Sequence, residues 1–281
     1  MNLDGSELTT IVSGIIDPHH IALDVAGGQI YWTDRNAAKI QRANLDGSGV
    51  TDLVTGSPEP IGISLDVVTG TMYWTDQWAF KIQKANLDGS GETDRVAATP
   101  LGIALDIEGG QMYWTDFDAQ VRRAKLNGTE MEDLVASDPL GNSPWGIALD
   151  VGSGHIYWTD LVSKRIQRAE FDGSGVMTLF AGFPESDPFG IALDVFAGLM
   201  YWTDFFTDEI FRANFDGSGV TTLVTGLFSP LGIALDVDAG HIYFAAGEPP
   251  QPPHPVPEPT IFALTCLGFA GLGIVWCRKN V

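Results

Sequence analysis

The sequence predicts an all-β fold, a six-bladed β-propeller, followed by a C-terminal transmembrane helix. Three observations predict it. First, Tyr31-Trp32-Thr33-Asp34 returns letter for letter at Tyr73–Asp76, Tyr113–Asp116, Tyr157–Asp160 and Tyr201–Asp204, and decays at Tyr243-Phe244-Ala245-Ala246. The tyrosine-to-tyrosine steps are 42, 40, 44, 44 and 42 residues. A fixed period near 40 built from strand-like segments marks a propeller or a solenoid. Second, each repeat divides into four strand-like runs. Third, the composition changes abruptly after Gly247, to a proline-rich stretch and then an uncharged apolar run.

Gly62 to Pro100 serves as the type repeat. Gly62-Ile63-Ser64-Leu65-Asp66 alternates apolar with small or polar residues, as a short strand does. Asp66 to Gly70 carries turn chemistry, with an Asp to bond the local backbone and a Gly for positive φ. Met72 to Asp76 is a second strand, rich in aromatic and β-branched residues that suit a packed, pleated surface. Phe80 to Ala85 is a third, Leu87-Asp88-Gly89-Ser90-Gly91 a turn, and Thr93 to Ala97 a fourth. Four antiparallel strands in ~40 residues make a propeller blade. The first-strand column recurs at Ile21–Asp24, Ile103–Asp106, Ile147–Asp150, Ile191–Asp194 and Ile233–Asp236. The Asp-Gly-Ser turn recurs at Asp4, Asp46, Asp88, Asp172 and Asp216, with Asn127-Gly128-Thr129 as the variant.

Six first strands but five complete units imply a sixth blade shared between the chain ends. Asn2 to Ser6 aligns with Asn44 to Ser48, so Thr9 to Val12 is the predicted outer strand and Gly232 to Phe244 supplies two inner ones. Such closure hides edges that an open sheet exposes. The third strand of that blade is a stub at Asn2-Leu3, so this blade should be the least complete. Met1 to Ser6 also lacks the basic start and apolar core of ~7–15 residues that an export signal needs. The expectation is that the upstream reading frame encodes an Ile-x-Arg-like strand preceded by a signal peptide.

The repeats resemble the class B, or YWTD, repeats of the low-density lipoprotein receptor family, from Asn2 to about Ala246. The resemblance implies a six-bladed propeller. In the animal receptors a cysteine-rich module follows the propeller, and nothing in this sequence could form one, so lipoprotein traffic is not carried over. Cys266 and Cys277, the two cysteines, both fall in the apolar tail.

The chain carries 36 acidic and 15 basic residues, a net charge of −21. Nucleic-acid binding through phosphate neutralisation needs clustered Lys and Arg, and is excluded as a function class. Three segments follow from composition: the propeller (1–247), a proline-rich linker (248–259) and a tail (260–281). The linker reads as polyproline-like and cannot join a β-ladder. Ile261 to Cys277 is 17 uncharged residues, at the lower limit of the ~17–25 that span a bilayer. Arg278 and Lys279 close it, and the positive-inside bias keeps the extreme C-terminus cytoplasmic. The three parts resemble the bacterial PEP-CTERM sorting signal, with Pro257-Glu258-Pro259 as its motif. That resemblance implies an exosortase as partner, export, and a membrane-anchored stage before release to the cell surface.

No nucleophile elbow, phosphate loop or metal-binding helix motif appears. The histidines (His19, His20, His155, His241, His254) occupy unrelated columns, and no triad is visible. Lactonases on six-bladed propellers need different ligands on different blades, whereas these blades are nearly uniform. The expectation is therefore a non-catalytic binding or structural module without a cofactor, and the alternative is an extracellular hydrolase or lactonase using the channel. Two aspartate rings recur: Asp34, Asp76, Asp116, Asp160 and Asp204, and Asp24, Asp66, Asp106, Asp150, Asp194 and Asp236. Identical placement points to turn caps, with a calcium site as the other use. The basic column Arg42, Lys84, Arg123, Arg168 and Arg212 points to an inter-blade salt bridge or backbone tie.

The columns that vary lie where loops open on one face. Before each first strand stand His19, Ile61, Leu101, Trp145, Phe189 and Leu231. After each Tyr-Trp-Thr-Asp stand Arg35, Trp78, Phe117, Leu161 and Phe205-Phe206. Large apolar groups of this kind dominate interface energetics. Two uses are open to them, plugging the channel mouth or binding a surface protein or exopolysaccharide.

Overall fold

The structure, a computed structural model, describes residues 1–118, 120–136, 143–181 and 185–247. Blade 1 comprises β1 (Pro18–Asp24), β2 (Gln29–Asp34), β3 (Lys39–Asn44) and β4 (Thr51–Thr55). Blade 2 comprises β5 (Pro60–Asp66), β6 (Thr71–Asp76), β7 (Lys81–Asn86) and β8 (Thr93–Ala97). Blade 3 holds β9 (Pro100–Asp106), β10 (Gln111–Asp116), β11 (Gln120–Lys125) and β12 (Glu132–Val135), and blade 4 holds β13 (Pro144–Asp150), β14 (His155–Asp160), β15 (Arg165–Glu170) and β16 (Met177–Ala181). Blade 5 is β17 (Pro188–Asp194), β18 (Leu199–Asp204), β19 (Glu209–Asn214) and β20 (Thr221–Val224). Among the described residues a last sheet has β21 (Ile233–Asp236) and β22 (His241–Phe244) alone. Each sheet is an antiparallel meander, and the first strands pack side by side in a ring, β1 against β5 and so on to β21 against β1.

The sequence predicts six blades, and the structure corrects this to five complete ones and a two-stranded sheet. In that sheet Met1 to Leu3 hold the start of a third strand. Ile242 N–H donates to Met1 O at 2.7 Å, Leu3 N–H donates to Gly240 O at 2.9 Å, and Asn2 bridges to His241. The predicted outer strand at Thr9–Val12 is not a strand, because no third strand lies beside it to form a ladder. Ile11 nonetheless keeps the outer-strand place: its carbonyl crowds Gly47 as the Leu53 carbonyl crowds Gly89 one blade on. The predicted linker and span (248–281) lie outside the described residues, among which no helix is long and apolar enough to cross a membrane.

The core lies between blades. Tyr31, Ile40 and Val54 of blade 1 bury against Ile63, Met72 and Trp74 of blade 2, and the same columns meet at the next junctions. A single hydroxyl joins neighbours at the inner edge. Thr75 Oγ1 accepts from Gly62 N–H of its own blade at 2.7 Å and donates to Leu101 O of the next at 2.5 Å. Thr33, Thr115, Thr159 and Thr203 do the same toward Ile61, Trp145, Phe189 and Leu231, at 2.5–2.7 Å. At the sixth sheet the column holds Ala245, which has no hydroxyl, and Gly232 N–H donates directly to His19 O at 2.8 Å. The glycines before these carbonyls are demanded by proximity. A Cβ on Gly146 or Gly190 would lie 2.4 Å from the carbonyl of Phe189 or Leu231.

The other repeated columns are turn and tie devices. Asp24, Asp66, Asp106, Asp150, Asp194 and Asp236 each accept a backbone N–H three residues on, at 2.7–3.1 Å. The basic column makes the expected inter-blade tie: Arg42 and Arg123 donate to the carbonyls of Leu87 and Phe171 on the following blades. Arg42, Lys84 and Arg123 also sit over the rings of Tyr31, Tyr73 and Tyr113.

Replacing Thr115 by the isosteric Val leaves Gly102 N–H and Trp145 C=O unpaired in a buried seam. The expected loss is about 1–3 kcal/mol in urea unfolding, against within about ±0.5 kcal/mol for the exposed Thr51→Val. Equal losses for the two variants would remove the relay from its role.

Candidate functional site

The variable columns separate into two tiers on the face where the second-to-third and fourth-to-first loops open. The tier before each first strand turns inward. His19, Ile61, Leu101, Phe189 and Leu231 are buried, and Trp145 is half-buried. His19 stacks on Trp145, centroids 5.6 Å apart, and meets Phe189 edge-on at 5.2 Å, while Trp145 and Phe189 lie 4.5 Å apart. His19 belongs to blade 1 and Trp145 to blade 4, so the contact crosses the ring and closes the channel mouth.

The tier after each Tyr-Trp-Thr-Asp turns outward. Trp78, Phe117 and Phe206 are 70%, 61% and 57% exposed, Phe205 is exposed as well, and Leu161 is half-buried. Arg35 is tied to Glu59 of the next fourth-to-first loop. Lys164 pairs likewise with Asp187, and Arg122 with the buried Asp116. Internal pairing of the charges leaves aromatic surface as the dominant feature of this face.

Sequence reasoning missed Phe80, Val162, Ile16 and Phe228, which are also exposed here. The strand pattern predicts Phe80 in a third strand, but it closes the turn with φ of 55°, the place taken by Ala38, Lys164 and Asp208 in sister blades. A bulky aromatic in the left-handed region is uncommon, and the column alignment could have found it. Ile16 and Phe228 sit in loops outside the repeat consensus.

The first aspartate ring also serves as caps. Asp34 accepts from Ile16, Asp17 and Ala37 N–H, and Asp204 from Asp187, Phe206 and Thr207 N–H, so each carboxylate pins two loops. Among the described residues no three acidic, histidine or cysteine groups gather as a metal site. His155 and His241 do share a column, opposite Asp150 and Asp236, contrary to the sequence reading, but they lie on separate sheets.

With this geometry in view, comparison with known proteins becomes specific. Residues 154–195 and 198–237 match the model of the low-density lipoprotein receptor repeat class B. The two matched segments run through blades 4 and 5 and into the sixth sheet. Among solved structures, a chain of a nidogen/laminin complex is 26% identical, with a TM-score of 0.65 over 73% of this chain and 79% of that one. Virginiamycin B lyase from Staphylococcus aureus is 19% identical, with a TM-score of 0.61 over 80% and 76%. A gluconolactonase from Xanthomonas campestris is 14% identical, with a TM-score of 0.72 over 85% of each chain. At that identity the two enzymes share the fold alone. No curated protein sequence gives a significant match.

Burial, with the neighbouring His20 and Arg35 adding to it, pushes the pKa of His19 down to about 3. His20, whose Nδ1 is buried without a partner among the described residues, is pushed down to about 4. An unfolded imidazole titrates near ~6.5, so below that pH the unfolded chain takes up protons that the folded chain refuses. Stability should be fully present above pH ~6.5 and fall as pH drops toward the folded values. His19→Phe keeps a ring in the plug and should remove about half of the slope between pH 6 and 5 in urea titrations. An unchanged slope would show that His19 is not held neutral.

Proposed function

We propose that this chain is a non-catalytic, cell-surface binding propeller that holds a protein ligand on its aromatic loop face. The observation that carries the reading is the exposed tier of Trp78, Phe80, Phe117, Phe205 and Phe206 around a mouth already closed by His19, Trp145 and Phe189. Isolated exposed apolar residues are ordinary, but several aromatics on one face mark an interaction surface. Chemistry in the channel would need several polar ligands turned to the axis, and among the described residues of the mouth His19 meets two apolar rings, Trp145 and Phe189. The likeness to a chain of a nidogen/laminin complex, itself a protein–protein assembly, supports a protein ligand over a polysaccharide.

The tail completes the reading. In this reading Pro257-Glu258-Pro259 serves as the exosortase motif, the uncharged run Ile261 to Cys277 serves as the membrane anchor, and the acidic propeller is exported and then released to the surface. The proline-rich stretch between them suits an extended spacer.

Two measurements test this. Captured secreted proteins of the host should bind the chain, and Trp78→Ala with Phe206→Ala should weaken that binding by ~2 kcal/mol or more without shifting the melting temperature. Unchanged affinity in the double variant would move the site off this face. In a host with an exosortase, mass spectrometry of the surface form should find a C-terminus at about Pro259. An intact Arg278-Lys279 end would sink the sorting assignment.

A further inference from the structure

We propose that Asn127, in the turn between β11 and β12, is the acceptor of an N-linked oligosaccharide. The inference rests on the exported reading given above and goes beyond it. Of the six turns in this column five read Asp-Gly-Ser, and one reads Asn127-Gly128-Thr129. A carboxylate has no nitrogen to glycosylate, so five turns are closed to this chemistry by their first residue. The remaining turn carries a carboxamide with a threonine two residues on, the pattern of an N-glycan acceptor on an exported surface. No other Asn-x-Ser or Asn-x-Thr triplet occurs in the 281 residues.

The turn itself asks for no amide. Asp46 and Asp88 take the same two bonds, from the N–H and hydroxyl of Ser48 and Ser90, that Asn127 takes from Thr129. Thr129 N–H and Oγ1 donate to Asn127 Oδ1 at 3.0 and 2.7 Å, so the carboxamide is held by its oxygen alone. Its Nδ2 donates to nothing among the described residues, and both Asn127 and Thr129 are exposed. In sister turns a second amide crowds the hydroxyl: Asn44, Asn86 and Asn214 Nδ2 donate to Ser48, Ser90 and Ser218 Oγ at 2.9 Å. Here that position is Lys125, which pairs with Glu130 instead. An Asn-Gly pair can also lose its amide through attack by the glycine nitrogen. That nitrogen is occupied, because Gly128 N–H donates to Lys125 O at 2.8 Å. The fold thus preserves the amide and displays it.

The transfer balances with a lipid-diphosphate-linked oligosaccharide as co-reactant and an oligosaccharyltransferase as catalyst. Asn127 Nδ2 bonds to the anomeric carbon as the bond from that carbon to the diphosphate oxygen breaks. The lipid diphosphate leaves with the electron pair, and the proton lost from Nδ2 goes to a base of the transferase. The third-to-fourth loops open on the face opposite the aromatic tier. A bulky, solvated sugar at Asn127 therefore leaves Trp78, Phe117 and Phe206 clear.

The test takes the full-length gene product from its own host, digests it with trypsin and measures the peptide that begins at Leu126. An oligosaccharide located on Asn127 by fragmentation is the expected result. Thr129→Val should abolish it although Asn127 is still present, and Thr129→Ser should retain it. Asn127→Asp restores the sister turn, so it should lose the sugar with no change in melting temperature. A surface chain with bare Asn127 would overturn this proposal and leave the exported reading standing. A chain found in the cytoplasm alone would remove both. A sugar that survives Thr129→Val, or one carried on Thr129 Oγ1, would refute the assignment to Asn127.

Discussion

The propeller depends on one hydroxyl per blade. Each repeat brings its threonine to the inner seam, where Oγ1 accepts from its own first strand and donates to the carbonyl of the next. Sheet ladders run within blades, so without this relay the innermost contacts between blades would be side-chain packing alone. The relay also sets spacing: an N–H···Oγ···O=C chain holds adjacent first strands at one hydroxyl's distance. Glycine follows as a requirement of that spacing, because a Cβ on Gly102, Gly146 or Gly190 would meet the next blade's carbonyl. Tryptophan and tyrosine then find their places on either side, burying in the wedges between sheets.

The sixth sheet shows what the relay replaces. Where the tetrapeptide decays to Tyr243-Phe244-Ala245-Ala246, the hydroxyl is lost and two backbones bond directly, Gly232 to His19. Blade 1 is also the one place where a histidine, His20, stands in the glycine column, and its N–H still donates to Thr33 Oγ1 at 3.0 Å. Its neighbour His19 reaches across the ring to Trp145. Closure of the ring and plugging of its mouth thus meet at His19, through its carbonyl and its imidazole, and burial of that imidazole ties both to pH.

Constraint and freedom are divided by column. Residues that hold blades together, cap turns or tie blades across the outer edge are nearly identical in each repeat. Residues on the loop face vary, and their variation produces the plug below and the aromatic tier above.

The sequence by itself determined the period, the four-strand unit, the turn caps and the inter-blade role of the basic column. These rest on local pattern: alternation, Asp-Gly turns, and a tetrapeptide whose spacing leaves few architectures. It also located the weak blade, since Asn2 aligns with the end of a third strand. Only the tertiary structure decided which variable residues meet and which face solvent. His19 and Trp145 are far apart in sequence and on opposed blades, so their contact exists only once the ring is closed. Phe80 looked like strand because its chemistry favours strands, and the turn preceding β7 claimed it instead. The differing partners of the tryptophan column, Gln41 for Trp32, Ser57 for Trp74 and Asp116 for Trp114, were invisible for the same reason: a repeat gives each residue its column, while the partner depends on the strand and loop beside it. Radial position and inter-blade partners are properties of closure, and no local pattern encodes them.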